Sequence, residues 1–155
     1  MRIFPENLFE KLGFSAIRKQ LAGYALSDQA KEWILEMKPA SNPSLVKQQL
    51  ELTAELMQLM AADEDLPIES LPDIRPAYPQ ASIEGNVLQL RYFLLIMQVL
   101  KASRLCKQFV EKRDEQLPNL LHLVASLQPL KDLESDIERI ITKEGVVRSD
   151  ASTNL

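Results

Sequence analysis

The sequence is poor in the residues that carry chemistry. It holds one cysteine, Cys106, and one histidine, His122, in 155 residues. A single cysteine makes no internal disulfide and anchors no multi-cysteine metal site, which fits a reducing compartment. The four glycines, Gly13, Gly23, Gly85 and Gly145, stand isolated. None of them opens the G-x-x-x-x-G-K pattern that cradles phosphates. Positive charge is not in excess: the formal net charge is −4. That argues against autonomous nucleic-acid binding, which needs a basic surface to release counterions. No apolar run approaches the roughly 18–20 residues of a membrane span. The opening MRIFPENLFE lacks a long apolar core and carries acids early, so no cleaved signal peptide is expected and a cytoplasmic location is.

What is present points to helices. Hydrophobic residues make up 46% of the chain, and they are mostly Leu, Ile, Met and Ala rather than alternating Val and Thr. That mix favours an all-α fold. At 155 residues the chain has the size of one domain and can bury a core.

The organising stretch is Val87 to Arg113. Phe93-Leu94-Leu95-Ile96-Met97, followed by Val99-Leu100, is apolar on every side of a helical wheel, and such a helix must be surrounded. Lys101, Arg104 and Lys107 follow at once, so the surroundings are other helices rather than lipid. Past Lys101 the pattern narrows, with Ala102, Leu105, Cys106, Phe109 and Val110 inside and Arg104, Lys107, Gln108 and Glu111 outside. The expected fold is an irregular multi-helix bundle around this central helix, about residues 88–113.

Ahead of it, Pro5 opens a short helix with Leu8, Phe9 and Leu12 on one side, and Gly13 stops it. Ser15 is expected to cap a second helix carrying Ile17, Leu21 and Tyr24. Ser27 caps a third, with Ala30, Trp33, Ile34 and Met37 as its buried stripe and Trp33 as a core anchor. Asn42-Pro43 starts a long helix to about Ala62. Val46, Leu50, Thr53, Met57 and Met60 repeat on it at 4-3-4-3 spacing. A second stripe, Leu45, Leu52, Leu56 and Leu59, lies beside the first. Together they predict a broad face lying on a core, with Gln48, Gln49, Glu51, Glu55 and Gln58 outside. Pro67, Pro72, Pro76 and Pro79 then exclude regular helix over most of a long loop to about Asn86. A loop of that length suggests docking or mobility. Leu117-Pro118 starts a short helix with Leu120, Leu121, Val124 and Leu127. A last helix carries Leu130, Leu133, Ile137, Ile140 and Ile141, and Gly145 is its expected stop. Val146-Val147 reads as a short extended piece. Residues 1–148 are expected to form a helical core segment, and 149–155 the truncated start of a further helix capped by Ser152.

Candidate sites are few. His122 points away from the apolar side of its helix and reads as a solvated surface residue. Cys106 reads as a buried, inert thiol. Asp63-Glu64-Asp65 lacks the glycine and spaced oxygens of a calcium loop and reads as a solvated helix end. No catalytic residue, cofactor site or metal site is assigned. Lys101, Arg104 and Lys107, with Lys112 and Arg113, form the densest basic cluster: weak phosphate contacts or an ordinary charged outer face.

Several strings in order along the chain resemble the N-terminal segment of a MutS-family protein. They are Leu12-Gly13-Phe14 with Ile17, Leu21-Ala22, Tyr24-Ala25 and Ser27, then Pro39 and Leu52-Thr53-Ala54-Glu55. Asp73-Ile74-Arg75-Pro76 is the most distinctive. Pro129-Leu130, Leu133-Glu134, Ile137, Ile140, Gly145 and Val147 complete the set. The match is to the bacterial paralogue that lacks the mismatch-reading domain and ends in an Smr-type nuclease domain. Ser149-Asp150-Ala151-Ser152 departs from the family's usual string at that turn. The resemblance implies a fragment of a DNA mismatch-repair or recombination-control ATPase, linked to branched DNA and stalled ribosomes. Its parent would be an ATPase and a nuclease, homodimeric, with no membrane contact. The fragment would be no enzyme itself. Its partner would be the remainder of its parent chain, and its role the transmission of motion between the ATPase and the DNA- or ribosome-facing levers. Asp73, Ile74, Arg75 and Pro76 would be its docking loop, unless that loop only seals its own bundle. The competing reading is a free-standing helical protein-interaction domain.

Overall fold

A computed structural model describes residues 11–142 and 145–149. Among these the chain is all-α: seven α-helices, one 3₁₀ turn and a single isolated β-bridge. The chain divides into two compact units, Met1–Ser41 and Asn42–Leu155.

The first unit is a helical hairpin of α1 (Phe14–Ala22) and α2 (Asp28–Glu36). The expected Ser15 cap is not used. Gly13 precedes α1 at φ +68, a conformation that costs glycine nothing, and its carbonyl accepts from the amides of Ala16 and Ile17. Ser15 therefore falls inside the first turn. Ser27 does cap α2, its Oγ accepting from the Ala30 amide at 3.1 Å. The Arg18 guanidinium donates to the carbonyls of Leu35 and Met37 at 2.7 and 3.1 Å. These are orphan acceptors at the end of α2, where a cation is favoured. Trp33 is not a core anchor: it is 67% exposed. The stripe Ala30-Trp33-Ile34-Met37 is wider than the contact α1 offers. Ala30 and Ile34 are half-buried while Trp33 and Met37 stay outside.

The second unit begins with α3 (Pro43–Ala61). The Asn42 side chain caps it, accepting from the amides of Ser44 and Leu45, with Pro43 in the first turn. A proline-rich loop follows, containing the 3₁₀ turn Arg75–Ala77 and the single-turn α4 (Tyr78–Ala81). Leu66, Ile68, Leu71 and Ile74 are half-buried, while Tyr78 is exposed. α5 (Leu90–Glu111), α6 (Pro118–Val124) and α7 (Lys131–Ile140) complete the helices. The Gly145 stop is displaced. α7 ends at Ile140, and Gly145, at φ +78, instead turns the chain so that Val147 bridges back to Ile141. A Cβ on Gly145 would stand 2.8 Å from Leu94 Cδ1, so this turn packs closely against α5, and the Leu94 side chain would have to shift to admit one. The last residues, 150–155, lie outside the described ones, as does the helix proposed to start at Pro5.

The core sits lower on α5 than the apolar run implies. Leu59 of α3, Val110 of α5, and Leu117, Leu120 and Val124 at α6 form the buried cluster, with Leu52, Leu56, Leu66, Phe109, Leu121 and Leu127 packed around it. Along α5 the buried side chains are Tyr92, Ala102, Cys106 and Val110, the last three one turn apart. Phe93 to Met97, Val99 and Leu100 are half-buried. A run that is apolar all round has more faces than the neighbouring helices α6 and α7 cover.

The broad apolar face expected on α3 is also split. Leu59 is buried and Leu52 and Leu56 half-buried, while Val46, Leu50, Met57 and Met60 are exposed. Glu55, expected outside, is buried with them. Its Oε1 accepts from the backbone and side-chain nitrogens of Asn119 at 2.8 and 2.7 Å, and its Oε2 accepts from the Leu120 amide at 2.8 Å. These are the first amides of α6 able to donate, because Pro118 has none. Leu117, the residue before the helix, supplies no side-chain cap. A carboxylate on a helix N-terminus satisfies the orphan donors and meets the positive end of the dipole.

Urea unfolding checks this placement. Leu117→Ala is expected to cost about 2–5 kcal/mol and Leu95→Ala about half of that or less, because the cost follows burial. Glu55→Ala is expected to cost about 2–4 kcal/mol, since it removes three hydrogen bonds and leaves a buried and a half-buried amide unpaired. Glu55→Gln is expected to cost less than Glu55→Ala.

Candidate functional site

The loop singled out as a docking element has a built geometry. The Asp73 carboxylate accepts from the Arg75 backbone amide at 2.9 Å. It also takes the Arg75 guanidinium edge-on, with Nε 2.9 Å from Oδ1 and the terminal nitrogen 2.7 Å from Oδ2. A planar fork meeting a carboxylate in this way is the strongest form of the ion pair. The pair starts the 3₁₀ turn whose last residue, Ala77, is buried. Ile74 is half-buried and Pro76 exposed. The loop is therefore pinned at Ala77 and presents Arg75 and Pro76 outward. The Arg75 side chain, then the Arg75 amide, hold the Asp73 carboxyl below its ordinary value of 3.8.

The three basic candidates on α5 have different surroundings. Arg104 is bound edge-on by the buried Glu134 of α7, Nε at 3.0 Å from both carboxylate oxygens and the terminal nitrogen at 2.9 Å from Oε2. Glu134 pushes the Arg104 guanidinium further up. Lys107 donates to the Leu127 carbonyl at 2.7 Å, which ties α5 to the turn after α6. Lys101 is exposed. It lines an open groove of about 700 Å³ between α5 and the start of the proline-rich loop, whose walls mix Leu66, Ile68 and Leu105 with Asp65 and Glu69. Two carboxylates beside one ammonium do not favour an anion there.

The acidic triplet is not a set of equivalents. Glu64 turns to Arg113, which donates through Nε at 2.9 Å and through a terminal nitrogen. The same guanidinium lies over the Phe109 ring, 3.8 Å from its centroid. His122 is exposed. Cys106 is buried and free, and burial pushes its thiol up, the opposite of what a nucleophile needs.

Sequence reasoning missed Glu55, Glu134 and the Glu64–Arg113 pair. For Glu55 a signal existed. It lies three residues after Leu52 and four before Leu59, on the buried side of α3, and Leu117-Pro118 announces a helix without a capping side chain. The other two pairs join residues 30 and 49 positions apart, and no local pattern reports that.

The all-α fold is the one that the resemblance to a MutS-family core segment implies. No family model matches the chain. Curated relatives do, and they are MutS2 proteins. "Endonuclease MutS2" of Clostridium botulinum (strain Alaska E43 / Type E3) is 32% identical over 146 residues, 93% of this chain and 18% of the relative. "Endonuclease MutS2" of Clostridium beijerinckii is 30% identical over 152 residues, 97% of this chain and 19% of the relative. "Putative endonuclease MutS2" of Bacillus subtilis (strain 168) is 31% identical over 153 residues, again 97% of this chain and 19% of the relative. The chain thus resembles MutS2 proteins along nearly all of its length, as a segment of a MutS2-type protein would. It spans about a fifth of the length of the curated relatives it matches.

The Asp73–Arg75 contact carries a pH prediction. A carboxyl held low in the folded state contributes stability above its unfolded value, lost as the pH falls through the folded midpoint. A carbon-13 NMR titration of the Asp73 carboxyl is expected to give a midpoint below the ordinary 3.8. Arg75→Gln is expected to move that midpoint back up.

Proposed function

We propose that this chain is the helical core segment of a MutS2-type protein, with no chemistry of its own. In that reading it carries motion between a nucleotide site and DNA- or ribosome-facing levers elsewhere in a longer polypeptide. The parent would be an ATPase and endonuclease acting as a homodimer in the cytoplasm. The observation that carries the reading is 30–32% identity to MutS2 proteins along 93–97% of the chain. The packing supports it. Transmission needs a rigid element with two arrangements relative to its neighbours. α5 is bound to α7 through Arg104–Glu134 and to the turn after α6 through Lys107, while Glu55 holds α6 to α3. The loop Asp73, Ile74, Arg75 and Pro76 docks onto the remainder of the parent. Its pinned base and outward Arg75 and Pro76 suit that role. Lys101, Arg104 and Lys107 contribute weak phosphate contacts at most, and of the three Lys101 is the exposed one.

Binding measurements on the 155-residue chain test this. Calorimetry is expected to show no saturable ATP binding. DNA binding is expected to be salt-sensitive, with Kd on the order of 10⁻⁴ M or weaker at physiological salt. Saturable nucleotide binding, or sub-micromolar affinity for DNA that survives added salt, would overturn the inert-core reading.

A further inference from the structure

α3 carries two apolar stripes and its own unit uses one. The unused stripe is regular. With Val46, Thr53 and Met60 at d and Leu50 and Met57 at a, it is a two-heptad seam of the kind that packs against another helix. Val46 is 36%, Leu50 64%, Met57 65% and Met60 70% exposed. The Thr53 hydroxyl donates to the Gln49 carbonyl at 2.8 Å, which leaves its methyl group to the seam. Gln49, Ala54 and Ala61 flank the stripe without charge. Lys47 is the charged flank residue at one end, and the other end runs into the acidic turn Asp63-Glu64-Asp65.

We propose that this seam pairs with the same seam of a second copy of the chain, antiparallel, as a weak homodimer. A two-fold axis needs a surface complementary to itself, and α3 has one. Setting Leu50 against the partner's Met60 sets Thr53 against the partner's Met57, so four of the five seam positions are paired. The same register brings Lys47 to the end of the partner's α3, where the acidic turn Asp63-Glu64-Asp65 follows. Lys47 is free to respond: its side chain is 79% exposed and its ion pair with Glu51 is a 3.6 Å surface contact, worth little. A parallel pairing would instead bring lysine level with lysine and acidic turn level with acidic turn. Antiparallel pairing also opposes the two helix dipoles. Five side chains cover less than the roughly 800 Å² per partner of a standard interface. The dimer therefore lies at the weak end, with Kd on the order of 10⁻⁵–10⁻⁴ M. The pairing does not depend on the MutS2 reading.

Sedimentation equilibrium of the full chain between about 5 and 500 μM, a range that brackets this Kd, tests it. The expected result is a monomer–dimer equilibrium whose Kd rises at least tenfold in Met57→Glu and in Leu50→Lys. Both sites are exposed, so the circular-dichroism melt should be unchanged. Lys47→Glu is expected to weaken the dimer by a smaller factor. Val87→Glu, an exposed apolar site off α3, should leave it as it is. A monomer throughout, as expected if the seam serves another segment or protein, would overturn the proposal. So would a dimer that survives Met57→Glu, or one that Lys47→Glu tightens.

Discussion

The second unit depends on one buried carboxylate. α6 is a seven-residue helix, too short to persist by itself. It starts at a proline after a residue that cannot cap it. Glu55 supplies the missing acceptors from α3, and in doing so fixes where α6 lies. Leu117, Leu120 and Val124 are then held against Leu59 and Val110. The hydrophobic cluster and the polar contact are thus one arrangement. The leucines supply the driving force, and the carboxylate chooses the register in which they meet. A buried charge in that position would be costly without its three donors, so each half of the arrangement requires the other.

α5 divides into two regimes. Its C-terminal half is a core helix, with Ala102, Cys106 and Val110 turned inward and with Arg104, Lys107 and, just past its end, Arg113 each tied to a different neighbour. Its N-terminal half is the greasier by sequence yet only half-buried. The apolar run has more faces than the neighbouring helices α6 and α7 cover. Hydrophobicity measured how strongly that run seeks cover, not how much cover the unit provides.

Where periodicity and end signals agreed, the fold was legible. Asn42-Pro43, Ser27 and Leu117-Pro118 each mark a helix start, and the 3.6-residue pattern carried α3, α5 and α7 between such marks. What failed was the choice of face. Trp33 and Met57 sit on stripes wide enough to be buried, and the pattern does not say which edge meets a neighbour. Glu55 was misplaced for the opposite reason, a charged residue on the buried edge. In the candidate site, Asp73-Ile74-Arg75-Pro76 was visible as a string, but its ion pair and the buried Ala77 beneath it came only with coordinates. The basic cluster on α5 looked continuous because its spacing is local. The residues that engage Arg104 and Lys107, Glu134 and Leu127, are twenty or more positions away.

The lone thiol is placed to report on the packing of α5. Cys106 lies on the inward side of α5, buried and with its proton held by its apolar surroundings. The sulfur becomes reactive chiefly when α5 parts from its neighbours. In these 155 residues it is the single thiol, and its rate of alkylation is a clock for how often the packed unit breathes, readable without any added label.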